Sequence, residues 1–115
     1  MAGGITYEVH ARGIGWMLAV SDGGMAGTEG QARRLEAVRV SLTGDVARGF
    51  SVWYRVHAQK CGWMAWAKNG EKAGTQGLAR RAEAVQVVLV KKGSPAPGKT
   101  FHDVTQTYKK AFLKK

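Results

Sequence analysis

Apolar and polar side chains alternate near the start of the chain. Ile5, Tyr7, Val9 and Ala11 interleave with Thr6, Glu8, His10 and Arg12, the period of two that sets one side of a β-strand against a core. The alternation returns at Val52, Tyr54, Val56 and Ala58, interleaved with Trp53, Arg55, His57 and Gln59. A second strand is predicted from Trp16 or Trp63 to the dipeptides Asp22-Gly23 or Asn69-Gly70, which supply the positive backbone angles of a tight turn. Glycine-rich loops follow at Ala26–Gly30 and Ala73–Gly77. A valine-rich third strand is predicted over Arg34–Leu42 and Arg81–Val90. Helix is the competing reading of this last segment, because Gln31–Val38 is rich in good helix formers. Strand is favoured, since Arg34, Glu36, Val38, Val40 and Leu42 share one face at period two, as do Arg81, Glu83, Val85, Val87 and Leu89.

These elements come in two copies. Tyr7–Leu42 aligns without a gap on Tyr54–Leu89, with 20 of 36 positions identical. A fixed period of this size marks a repeat in which each unit buries its apolar face against the next. The expected fold is therefore all-β: two similar three-stranded units packed pseudosymmetrically, in the manner of part of a β-prism. Residues 1–98 form one domain of two repeats (5–43 and 52–92), joined by a linker at Gly44–Gly49. The break at Gly93-Ser-Pro-Ala-Pro-Gly98 precedes a basic segment, 99–115, that packs on the domain or is mobile. Val104, Tyr108, Ala111 and Phe112 fall at helical spacing there and suggest a short amphipathic helix, with a strand or an extended tail as alternatives.

With 115 residues the chain has room for one real core, and no apolar run approaches the ~18 residues that span a bilayer, so membrane insertion is not expected. The start lacks the basic and apolar regions of a secretory signal, which suggests a cytosolic protein or an excised fragment. The net charge of +10 divides as +4 in residues 1–90 and +6 beyond them. Such a tail attracts anionic polymers such as nucleic acid, teichoic acid or sulfated glycan, or is a solvated run without a specific partner. Nucleic-acid-binding signatures are absent, so nucleic acid is not an expected partner. Cys61 stands where the first copy has Ile14, as a small apolar filler would.

Differences between the copies separate scaffold from candidate site. Trp16 and Trp63 match, and read as the aromatic at the centre of each unit. Trp53 and Trp66 have Thr6 and Ala19 as partners. Trp53 shares strand parity with Arg55 and His57, and Trp66 has the parity opposite to Trp63, so both are expected to face outward. Aromatic faces beside Arg, His and Gln suit a sugar platform; burial between copies or in an oligomer contact is the alternative. His10 and His57 recur with Glu36 and Glu83, which sit beside Arg34 and Arg81 and predict paired, partly buried charges. Each copy offers too few ligands for zinc, no residue pattern requires a cofactor, and no nucleophile–base set suggests catalysis. The glycine-rich loops precede strands rather than helices, which argues against nucleotide binding.

The lines Y-x-V-H-A-x-x-x-G-W and D/N-G-x-x-A-G-T-x-G-x-x-x-R-x-E-A-V resemble the clostridial hydrophobic-with-tryptophan (ChW) repeat family over about Ile5–Lys92. That resemblance implies a non-catalytic extracellular or cell-surface module of a Gram-positive protein, acting in adhesion or as an accessory domain on a glycan or cell-wall or host surface polymer. A protein-interaction or spacer role without sugar binding, including homo-oligomer formation, is the alternative. The expected ligand-binding residues are Trp53, Arg55, His57, Trp66, Asn69, Arg81 and Glu83, with weaker first-repeat candidates His10, Asp22, Arg34 and Glu36. The family often carries H-x-Q-N before its G-W and a second Trp three residues after the first. Here His10 leads to Arg12-Gly13, and Ala19 replaces that second Trp in the first copy.

Overall fold

The alternating segments are strands in the structure, a computed structural model that describes residues 3–22, 24, 26–27, 34–97, 107–108 and 110–114. The first repeat supplies β1 (Gly3–Ala11), β2 (Gly15–Trp16), β3 (Val20–Ser21) and β4 (Leu35–Thr43). A short helix, α1 (Gly44–Gly49), occupies the predicted linker and leads into β5 (Phe50–Ala58), β6 (Gly62–Met64), β7 (Ala67–Lys68), β8 (Ala73–Gln76) and β9 (Ala82–Lys91). The closing segment adds β10 (Thr107–Tyr108) and β11 (Phe112–Lys114). The all-β expectation holds, and the third segment of each repeat is strand rather than helix.

Three expectations need correction. The second strand of each repeat is broken, so β2 with β3, and β6 with β7, are separate short pairings along one edge of β1 and β5. The glycine-rich segment of the second repeat is a strand, β8. Among its described residues the closing segment shows no helix: Tyr108 lies in a parallel pairing with β6, and Phe112 in one with β8. Its apolar residues find partners on two existing strand edges, which a helix would leave unpaired. Phe101 and Val104, Gly23, and the first glycine-rich loop beyond Gly27 lie outside the described residues.

The strands form two sheets. One runs β11-β8-β4-β1-β2, with β3 also on β1; the other runs β10-β6-β5-β7, with β9 also on β5. The second repeat thus contributes β8 to the sheet of the first, antiparallel to β4 with Ala37 opposite Gly74 and Val38 opposite Ala73. Nearby, Gly70 N–H donates to the Val40 carbonyl at 2.6 Å and Arg39 Nε to the Gly70 carbonyl at 3.1 Å. Between the sheets lie Val40, Val52, Tyr54, Val56, Ala58, Met64, Ala67 and Ala73, with Ile5, Tyr7, Val38, Leu42, Cys61 and Leu113 packed around them. Half of this core comes from β5, which is covered by the β4 and β8 of the neighbouring sheet; each fully buried Val or Met of the core contributes about 1.5–3 kcal/mol. Cys61 packs as the expected apolar filler and also accepts a contact from Arg80 Nη1 at 3.0 Å.

Asp22 and Asn69 take positive backbone angles, 48° and 41°. Their Oδ1 atoms accept from the Ile5 and Val52 N–H groups at 2.9 and 2.8 Å, so each turn is pinned to the start of its repeat's first strand. The equivalent tyrosines complete the pattern: the Tyr7 hydroxyl donates to the Gly24 carbonyl and the Tyr54 hydroxyl to the Glu71 carbonyl. Burial pushes the Tyr54 phenol up to about 12 from 10.0.

Because Tyr54 ionises more readily in the unfolded chain, its contribution is complete below pH ~10 and declines as pH rises toward ~12. Urea midpoints at pH 9 and 11.5 are expected to differ by on the order of 2 kcal/mol of stability beyond the difference seen in Tyr54→Phe; equal pH dependence in the two proteins would remove Tyr54 as the cause. A Cβ at Gly74, whose φ is +108°, would lie 2.3 Å from the Glu36 carbonyl oxygen and 2.8 Å from Ala37 Cα. Gly74→Ala should therefore cost about 2–4 kcal/mol in chemical denaturation, whereas Gly49→Ala, with nothing within 4 Å of the added carbon, should stay within about 0.5 kcal/mol.

Candidate functional site

Each repeat carries the same local device at the end of its first strand. The pairing of β1 with β4 shifts between His10 and Ala11, which face Ala37 and Leu35, leaving Glu36 as the extra residue. In the second repeat His57 and Ala58 face Ala84 and Ala82, leaving Glu83. A bulge re-aims the side chain of its extra residue. Here it sends the carboxylate to the histidine: His10 Nδ1 is 3.2 Å from Glu36 Oε1, and His57 Nδ1 is 3.2 Å from Glu83 Oε1. Period two alone places these glutamates with the core valines; the bulge is why they meet the histidines of the other face.

The shared tryptophans complete the group. Trp16 lies opposite His10, and Trp63 opposite His57, with rings edge-on at 5.5 and 5.3 Å. Both are half-buried, so they line the histidine face rather than fill the centre of the core.

What covers this group differs between repeats. In the first, the side chains of His10 and Glu36 are 9% and 2% exposed. The loop before β8, and β8 itself, close over them: Trp16 Nε1 donates to Gln76 Oε1 at 3.0 Å, and Lys72 Nζ lies 5.3 Å from the Trp16 ring centre. His10 Nδ1 and Glu36 approach without the alignment of a hydrogen bond, so their attraction depends on His10 being protonated. In the second repeat the side chains of His57 and Glu83 are 36% and 35% exposed, and Arg81 Nη2 adds a contact to Glu83 Oε2 at 3.3 Å. The expected Arg, Glu and His network is thus formed there.

Arg55 lies at the centre of the second-repeat face. Its guanidinium carbon is 4.4 Å from the Trp63 ring centre and 4.8 Å from that of Trp66, and its Nε donates to Gln86 Oε1 at 3.0 Å. Two such stacks each contribute on the order of 1 kcal/mol when partly desolvated. Trp63 and Trp66 therefore share a side, contrary to their sequence parity, because the strand breaks between β6 and β7. Lys68 Nζ stands 5.4 Å from the Trp53 ring centre, directly across from it in the β5–β7 pairing.

The outward placement of Trp53 and Trp66 is corrected: both are buried, and Trp53 Nε1 has no hydrogen-bond partner among the described residues. The closing segment is the neighbour of the residues just before Trp66. It runs beside this part of the second repeat, where β10 pairs with β6 and Ala65 N–H donates to the Lys110 carbonyl. The matching first-repeat stretch is bare, with Leu18 92% exposed. Among the described residues that cover accompanies the second copy and not the first.

The structure thus gathers Arg55, His57, Arg81 and Glu83 with Trp63 and Trp66, and places Trp53 on the same face. It separates Asn69, which holds the turn at Val52, at the other end of β5. In the first repeat Asp22 is likewise a turn residue, His10 and Glu36 are enclosed, and the exposed Arg34 accepts from Arg12 N–H through its carbonyl at 2.8 Å. Trp63, Gln86 and Lys68 were missed by sequence reasoning; the register of Trp63 opposite His57 is the signal that finds the first. Among the described residues no group of three or more His, Cys, Asp or Glu could hold a metal ion, and no helix is long and apolar enough to cross a membrane.

Two sheets built from a duplicated strand set, with one His–Glu–Trp device per copy, define a tandem-repeat β-module. The model of the family Clostridial hydrophobic W (ChW) matches residues 10–44 and 57–91, more than half of the chain, and the chain belongs to this family. Membership makes it a repeat module and points to a secreted or surface protein as its setting. No curated protein matches the chain, and no solved structure does.

The same pair in closed and open settings gives a direct comparison. Glu36→Ala, which strands a buried histidine face, should cost about 2–4 kcal/mol in urea denaturation, and Glu83→Ala less than about 1 kcal/mol. Equal losses would show that cover by the second repeat does not set the value of the pair.

Proposed function

We propose that this protein is a non-catalytic, extracellular recognition module whose second repeat binds a glycan or cell-surface polymer through Trp63, Arg55, His57, Arg81 and Glu83. The carrying observation is the contrast between repeats: the same His–Glu–Trp device is enclosed in the first and open in the second, where Arg55 braces the half-exposed Trp63. An aromatic face packs on sugar C–H groups, while guanidinium, imidazole and carboxylate groups bind hydroxyls or acidic substituents. The basic composition favours acidic polymers. Trp66 supports Arg55 from behind rather than offering its own surface. Catalysis has no part in this reading, because the Glu83 carboxylate beside Trp63 is engaged with Arg81 and serves to fix side chains.

A second reading, a protein-interaction module without sugar binding, is favoured by a different observation, the exposed apolar side of β9.

The test is a glycan array containing peptidoglycan fragments and mucin-type sugars, followed by titration of any hit under tryptophan fluorescence. Trp63→Ala is expected to weaken binding by tenfold or more, roughly the loss of a central aromatic anchor, with Trp16→Ala unchanged. A blank array from folded protein, or equal losses from both variants, would overturn the assignment.

A further inference from the structure

The second repeat lacks what the first one has. On β4 the residues Val38, Val40 and Leu42 are covered by the second repeat: Val40 is 4% exposed and belongs to the core, with Val38 and Leu42 packed against it. Their counterparts on β9 are Val85, Val87 and Leu89, which are 48%, 49% and 53% exposed. They stand across from Val56, Tyr54 and Val52 in the β5–β9 pairing, so they continue the core side of the sheet into solvent. Between the sheets at this point is an apolar cleft of about 220 Å³, with Val9, Leu35 and Val38 on one wall and Val56, Ala84 and Val85 on the other. Among the described residues no strand pairs with the outer edge of β9. Bare edges and contiguous apolar surface of this kind are sites of association.

The molecule itself shows what fits such a surface. The outer edge of β4 is paired by Ala73 and Gly74, and this close approach requires a glycine at φ +108°. Ala26 and Gly27 repeat that pair one period earlier. Gly27 holds the same backbone angle, +112°, yet a Cβ on it would meet only the Leu35 side chain, at 3.4 Å and beyond. Among the described residues one copy therefore has an accepting edge without a donor and a docking glycine without an acceptor. The contact between the repeats is head-to-tail, and a head-to-tail contact leaves both halves available for another molecule.

We infer that the outer edge and apolar side of β9 dock the first repeat of a second copy of this chain, with Ala26 and Gly27 of that copy set against Val85 and Ala84 as Ala73 and Gly74 are set against Val38 and Ala37. The net charge of +10 on each copy opposes this association, so it strengthens as salt screens the repulsion. Salt dependence of this sign is opposite to that of binding to an anionic polymer.

Sedimentation velocity without sugar, from about 1 μM to about 1 mM, is expected to show mass rising beyond the monomer, at lower concentration in 0.5 M than in about 0.05 M salt. Val87→Lys, on the accepting side, and Gly27→Val, on the donating side, should each weaken association by roughly tenfold or more, with far-ultraviolet circular dichroism confirming that both fold. Mixed in equal amounts, the two variants should restore a species of twice the monomer mass, because each supplies the half that the other lacks. Amide exchange in the unaltered protein should slow at Ala84–Val87 as concentration rises. A wild type that stays monomeric throughout, or association that survives Val87→Lys, would overturn the proposal. So would association lost in Val87→Lys but unchanged in Gly27→Val, which would mark a two-fold β9-to-β9 contact instead.

Discussion

The close approach of β8 to β4 is the constraint on which the rest of the molecule depends. Gly74 comes so near Glu36 and Ala37 that no side chain fits between them. Through that contact the second repeat lends a strand to the sheet of the first, closes the edge of β4, and encloses Trp16, His10 and Glu36 beneath Gln76 and Lys72. The core centres on β5 for the same reason, since β5 is the strand that the β4–β8 junction covers. Repeat architectures draw much of their stability from such interfaces between units, and here one interface supports nearly the whole hydrophobic cluster.

The identical device in each repeat has different physics in its two settings. A histidine and a glutamate brought together by a bulge are an exposed, weak pair when water reaches both, as at His57 and Glu83. Enclosed, as at His10 and Glu36, the same atoms at the same separation become a group that is costly to disrupt. The spacing of 3.2 Å is common to both pairs, so cover rather than local geometry separates a structural role from a surface one. The open copy alone has Arg55 between two indoles, where the first repeat has Glu8 and, in place of Trp66, Ala19.

Much of this was legible in the sequence. The alternation at Ile5–Arg12 and its return at Val52–Gln59 gave the strands, and the duplication gave two units. The valine-rich third segment was correctly strand despite its helix formers, since burial of Val38, Val40 and Leu42 on one face outweighs intrinsic propensity. The glutamates and tryptophans were harder. A bulge adds one residue and reverses every later parity, so Glu36 and Glu83 read as core-facing until the register is known. The break between β6 and β7 misplaced Trp66 in the same way. Trp66 follows directly on residues paired by a closing segment more than forty residues away in sequence, where helical spacing at Tyr108, Ala111 and Phe112 competed with parallel pairing on two distant strands. Local pattern carries no information about such pairings.

The differences between the copies record their neighbours. Leu18 faces solvent, and its counterpart Ala65 is fully buried beside the closing segment; at the next position Ala19 of the first repeat is replaced by Trp66. On the β9 side the sequence shows no comparable adjustment. Val85, Val87 and Leu89 retain the apolar character of Val38, Val40 and Leu42, although solvent reaches them. A repeat whose outer face is meant for water carries polar residues there, as capping repeats do. The second repeat changed where its surroundings changed and kept an interface sequence where the first repeat has an interface, which is the composition of a surface adapted to contact rather than to solvent.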